Sequence, residues 1–241
     1  MAGNSGPVLV WDSSADGQDE PGGGRSVDGP RRSRRGAGRR STETRLVRAA
    51  LDLFQRRGYA SVGTAEILVA ASAPRGSLYH HFPGGKAELA TAAIDWLAGE
   101  MVASADRAFA KKQRAADYFR QTARATAAWI EEQDYAAGPL LSVMTLEAGP
   151  NEPQIATAVT EALDRVMASW ARLIAGADAD DAAFQADTPA GRAAAEQAET
   201  VYALLTGAMF LARGRRQPAP LWRASRQVRA ILAPLYKGHQ P

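Results

Sequence analysis

Between residues 41 and 236 the apolar residues recur at i, i+3/i+4 and i+7, the spacing of one buried helix face. The first stripe is Leu46, Val47, Ala50, Leu51 and Phe54, with Ser41 or Thr42 placed to cap it, Arg56 and Arg57 in its last turn and Gly58 to stop it. A short second helix follows in "SVGTAEILVAASA", capped by Thr64 and turning Ile67 and Leu68 inward. Pro74 then forces Ala73 out of the helical region and opens a third helix, "PRGSLYHHF", of about two turns. Pro83-Gly84-Gly85 ends it, and Lys86 begins a long helix with Leu89, Ala93, Trp96, Leu97 and Met101 on one face.

Five further stripes run to the C-terminus: from Phe119 to Ile130, Leu140 to Met144, Ile155 to Ile174, Val201 to Met209 and Leu221 to Leu235. The breaks carry turn chemistry, as in "EAGPNEP" and "RGRRQPAP". No strand alternation interrupts them, so the pattern predicts an all-α protein of about nine helices.

Residues 1–40 lack this periodicity and are rich in Gly, Ser, Asp, Arg and Pro, the composition of a disordered segment. The segment ends in "RRSRRGAGRR", six arginines and no acid, although the whole chain of 241 residues carries a net charge of only +3. The result is a local basic arm bordering the first helix. The organisation expected is therefore an arm at 1–40, a small helical domain at 41–88, a larger helical domain at 89–236 and a flexible tail at 237–241.

Composition narrows the chemistry. There is no cysteine and there are three histidines, His80, His81 and His239, which leaves no disulfide, thiolate nucleophile or zinc cluster. His80 and His81 diverge by about 100° on a helix and make a poor metal pair. The "GGK" at 84–86 lacks the upstream glycine and the hydroxyl residue of a phosphate loop. No paired acids, cofactor motif or metal site stands out, and no apolar run reaches membrane-spanning length. These readings point to a cytoplasmic protein that is not an enzyme.

The stretch "SAPRGSLYHHFPGGK" is too polar for a core and too aromatic for a linker. Three short helices after a basic arm, the last two joined by a tight turn, form a helix-turn-helix pattern in which the third helix enters the major groove of DNA. On that reading Arg75 reaches a guanine edge, and Ser77, Tyr79 and His80 meet phosphates or base edges. Pro74 and Gly76 belong to the same contacting segment, while Leu78 and Phe82 anchor the helix. Thr64 and Lys86, each at a helix N-terminus, are placed for phosphates.

The segment Thr44 to Ile94, with its "LFQRRGY", its "GSLYHHF" and the Lys that opens the next helix, resembles the DNA-binding domain of TetR-type transcriptional regulators. Its "APRGSLYHHFPGGKAEL" is most similar to the LmrA/YxaF-type branch. Ser72 stands where that family usually has a glycine, and Pro74 where it has a capping serine.

The resemblance implies a repressor that binds double-stranded operator DNA as a homodimer and is released by a small, largely apolar effector. It also implies a dimer interface on the last two helices, assigned to Val201, Leu205, Met209, Leu221, Ala224, Val228 and Ile231. A two-fold protein is in any case what two half-sites about 34 to 36 Å apart require. Trp96, Met101, Phe119, Met144, Trp170 and Tyr202 fall on inward or near-inward faces, where they line a pocket or serve as core. Thr122, Thr126 and Thr206 are buried hydroxyls that need partners, which an effector or water can supply. Two rivals stay open: a DNA-binding regulator without a small ligand, and an all-helical enzyme with a basic tail.

Overall fold

A computed structural model describes residues 34–148, 150–176 and 188–236. Residues 1–33, the acidic "ADADD" loop at 177–181 and the tail at 237–241 lie outside the described residues. Among those described there are nine helices and no strand: α1 (Arg34–Arg57), α2 (Thr64–Ala70), α3 (Ser77–His81), α4 (Gly85–Ala110), α5 (Ala115–Glu132), α6 (Leu140–Glu147), α7 (Pro153–Ala175), α8 (Pro189–Arg215) and α9 (Ala219–Tyr236).

Three boundaries differ from the expected ones. α1 starts at Arg34, so Ser41 and Thr42 lie inside it rather than capping it. Extending an existing helix fixes one residue per hydrogen bond gained, and the Arg and Ala of "RRGAGRR" favour it enough to offset two glycines. The cap of α2 is Gly63, in extended conformation, and Thr64 is the first helical residue. α3 covers only five residues, because Ser77 N–H bonds the Pro74 carbonyl at 3.0 Å in a turn before helical bonding begins. At its other end Phe82 precedes Pro83, which bars it from the helical region.

α1, α2 and α3 close over Leu46, Leu51, Phe54, Ile67 and Leu78, all fully buried. α4 joins this small unit to the larger one by packing on α1 and α7, and α5, α7, α8 and α9 form the body of the bundle. The core is continuous between the two units.

Candidate nucleic-acid interface

α2 ends in a tight turn built on backbone bonds. Ser72 N–H donates to Val69 O at 3.0 Å and Ala73 N–H to Leu68 O at 2.9 Å, the paired bonds of a Schellman cap. That cap needs a left-handed residue, and Ser72 supplies it with φ +48°. The serine thus adopts the backbone a glycine would adopt, and the turn into α3 keeps its shape.

The Ser77 hydroxyl donates to the Pro74 carbonyl at 2.6 Å, which fixes the turn holding Arg75 and Gly76. Leu78 and Phe82 go into the core, while Pro74, Arg75, Gly76, Tyr79 and His80 are exposed and Ser77 and Thr64 are half-buried. Tyr79 is 61% exposed, unusual for an aromatic side chain. Arg75 makes no hydrogen bond or ion pair among the described residues. The His81 side chain is buried with its Nδ1 3.8 Å from Glu43 of α1, and its ring meets that of His80 edge-on at 5.2 Å between centres.

Beside this face lies an open cleft of about 570 Å³ between α2 and the turn, lined by Thr64, Ala65, Leu68, Val69 and Ser72 to Arg75. Val69, 80% exposed, is the wall that the sequence pattern missed. Its one available signal was that it falls off the Ile67–Leu68 stripe.

Lys86 is placed otherwise than expected. Its Nζ donates to the carbonyls of Tyr59 at 2.9 Å and Val62 at 3.0 Å and sits 4.1 Å from the centre of the Tyr59 ring. The ammonium is a strut inside the small domain, and its partial burial holds its pKa below the usual lysine range despite nearby Glu152 and Glu147. Spacing puts Lys86 at a helix start, whereas the two carbonyls that hold it come from the α1–α2 turn, more than twenty residues earlier in the chain.

In the larger domain a small cavity of about 10 Å³, room for roughly one water, is lined by Leu97, Met101, Pro139, Leu140, Leu141, Tyr202 and Thr206. Met101, Tyr202 and Thr206 were expected there. Trp96 instead faces Arg48 of α1 at 5.6 Å. Phe119 and Trp170 stack edge-on at 4.7 Å as core, and Met144 is fully buried in α6 outside the lining. Thr122 and Thr126 do not need a ligand: their hydroxyls donate to the carbonyls of Tyr118 and Thr122 one turn back, at 3.0 and 2.9 Å. Thr206 Oγ1 is buried, makes no bond back to its own helix and meets only the Tyr202 hydroxyl.

The residues assigned to a dimer interface are also placed differently. Val201, Leu205, Met209, Leu221 and Val228 are fully buried within the subunit, Ala224 is 2% exposed, and Ile231 packs partly against the same core. The strongest apolar stripes of α8 and α9 face α5, α7 and each other, because a single subunit already has to cover them. The residues left outward include Glu196, Glu199, Ala203, Gly207, Phe210 and Leu211 on α8, and Trp222, Arg223, Arg226 and Arg229 on α9. Phe210 is 70% exposed and Trp222 53%.

Comparison with known proteins agrees with this geometry. Residues 46–93 match the family "Bacterial regulatory proteins, tetR family". Residues 115–227 match "Transcriptional regulator LmrA/YxaF-like, C-terminal domain". The chain is 33% identical over 198 residues to the HTH-type transcriptional regulator Rv0196 of Mycobacterium tuberculosis, covering 78% of this chain and 92% of that one. To the HTH-type transcriptional regulator LmrA of Bacillus subtilis it is 47% identical over 51 residues, 21% of this chain and 27% of the relative. A regulatory protein TetR from Rhodobacter sphaeroides shares the fold with a TM-score of 0.64 at 26% identity, covering 78% of this chain and 96% of that one. The two matches together cover most of the chain, and it belongs to the TetR family of transcriptional regulators rather than to any class of enzyme.

Proposed function

We propose that this regulator is a repressor that binds a palindromic operator as a homodimer and is released by a small, largely apolar effector. The observation that carries the DNA-reading assignment is α3 itself: both of its apolar anchors are buried, and every other side chain from Pro74 to His80 faces partly or wholly outward. Arg75 is the base reader, with two parallel donors for a guanine edge. Ser77, Tyr79 and His80 reach phosphates or base edges, Thr64 meets a phosphate at the start of α2, and Lys86 acts indirectly by holding the α1–α2 turn. The N-terminal arginines add phosphate or minor-groove contacts.

Gly76 supports this reading. Its φ is ordinary, −81°, and a Cβ built on it meets nothing within 4 Å. The fold does not require glycine there, but close approach of a sugar-phosphate backbone does.

Two copies pair through the outward faces of α8 and α9, where Phe210, Leu211 and Trp222 leave apolar area exposed beside Arg223, Arg226 and Arg229. Effector binding enlarges the cavity by parting Leu140 and Leu141 of α6 from Tyr202 and Thr206 of α8, which offers the Thr206 hydroxyl a partner. Differential affinity for the two conformations then lowers operator affinity.

The test is fluorescence anisotropy on an operator selected from fragments of the parent genome. Arg75→Ala should weaken specific binding by roughly tenfold or more, one good bidentate contact. Gly76→Ala should weaken it with the melting temperature unchanged. Unchanged specific affinity in both variants would remove the turn at Arg75–Gly76 and the α3 it opens as the reading element.

A further inference from the structure

The turn between α1 and α2, residues 58–63, is held from two directions. From its own domain Lys86 binds the carbonyls of Tyr59 and Val62. From the regulatory domain comes Glu147, the last residue of α6, whose Oε2 accepts from Ala60 N–H at 3.1 Å. The same carboxylate fills the space over Gly58, where any Cβ would overlap it; Gly58 is also left-handed, at φ +83°. At the other end of α6, two residues before its first, Gly138 N–H donates to the Gln55 carbonyl in the last turn of α1 at 2.8 Å. The eight-residue α6 is therefore tied at its C-terminal end to the α1–α2 turn and, through the loop before it, to the last turn of α1, and Pro139, Leu140 and Leu141 at its start line the cavity.

Electrostatics makes the position of Glu147 informative. The C-terminal end of α1 carries the negative pole of its dipole, which disfavours a carboxylate there. The charge is tolerated because Ala60 N–H and the field of Lys86 offset it. A solvent-exposed acid has no need of such a place, so its presence has to be explained by what it joins.

We propose that Glu147 is a positioning residue, the peg that sets the orientation of the DNA-binding domain on the regulatory domain through Ala60 N–H. An exposed hydrogen bond is worth a factor of about two to ten in an equilibrium. That is too little to decide whether the chain folds, and enough to bias the angle between two units that also meet through α4, the Gly138–Gln55 bond and the Tyr59–Glu152 pair. The proposal rests on α2 and α3 being the DNA-reading unit only for its consequence, a loss of operator affinity on freeing the peg.

The test uses the full chain, which has no cysteine of its own. Spin labels on Val69→Cys in α2 and Thr160→Cys in α7, both exposed positions, report the angle between domains by double electron–electron resonance. Excess unlabelled chain isolates the intramolecular pair, and no DNA is present. With wild-type Glu147 the distance distribution should be narrow. Glu147→Ala should broaden or shift it with the melting temperature held. Glu147→Gln, which keeps the acceptor oxygen, should restore most of the narrow population. An unaltered distribution in Glu147→Ala, or a Gln variant as broad as the Ala variant, would overturn the assignment. Because the distance is read without operator, a failure of Arg75 as base reader leaves this result intact and separable.

Discussion

Ala73 N–H reaches the Leu68 carbonyl at 2.9 Å across Ser72, whose φ of +48° lies in the left-handed region. That conformation costs an L-residue with a Cβ about 1–2 kcal/mol, and Ser72 is exposed with no side-chain bond to offset it. Glycine removes the strain but adds about 0.5–1 kcal/mol of unfolded-state entropy. Ser72→Gly should therefore raise the unfolding free energy by about 0.5–1 kcal/mol, read as a higher urea midpoint at constant m-value, and leave operator affinity within about twofold. A lower midpoint would mean that the serine has a role the turn geometry does not reveal.

Thr122 and Thr206 offer a matched contrast in one bundle. The Thr122 hydroxyl is bonded to its own helix, whereas that of Thr206 makes no well-formed bond and meets only the Tyr202 hydroxyl. An unsatisfied buried polar group costs about 1–3 kcal/mol. Thr206→Val, nearly the same shape, should stabilise the protein by about 1 kcal/mol, while Thr122→Val should be neutral or slightly destabilising. Chemical denaturation of the pair checks this, and a stabilised Thr122→Val together with a destabilised Thr206→Val would reverse it. The same Thr206→Val should blunt the effector response.

Alkaline pH tests the burial of two phenols. Burial pushes Tyr118 up to about 12, and burial with the adjacent Glu152 carboxylate pushes Tyr59 up to about 12, from an ordinary value of 10.0. Below pH 10 both states are protonated and the stability is fully present. Between about 10 and 12 the unfolded chain ionises first, so stability falls across that window. Near-ultraviolet phenolate absorbance should lag behind a free-tyrosine titration, and Tyr118→Phe should flatten the fall in unfolding free energy. A titration with no lag would place both rings in water.

Much of the fold could be read from spacing, because a helix with a 3.6-residue repeat must turn one face to the core whatever its neighbours are. Leu78 and Phe82 inward, with Arg75, Tyr79 and His80 outward, follow from the third helix having room for only one apolar face. The chain's membership of an all-helical regulator family was legible for the same reason, in about fifty residues of dense pattern from Thr44 to Ile94. The bounds of α1 and α3 were less legible, since propagation past a cap and a turn bond from Ser77 to Pro74 leave no periodic trace.

Periodicity says that a face is buried, not against what. Val201, Leu205 and Met209 could cover a second copy or the subunit's own α5 and α7, and the packing of this one chain chose the latter, leaving Phe210 and Trp222 outside. Thr122 and Thr126 looked like hydroxyls in want of a ligand until the carbonyls one turn back were seen to take them. Lys86 and Glu147 meet the α1–α2 turn from elements 24 and 87 residues away along the chain. Contacts of that range depend on how helices are angled in space, which local patterning does not encode, so residue types and faces belong to the sequence while partners belong to the fold.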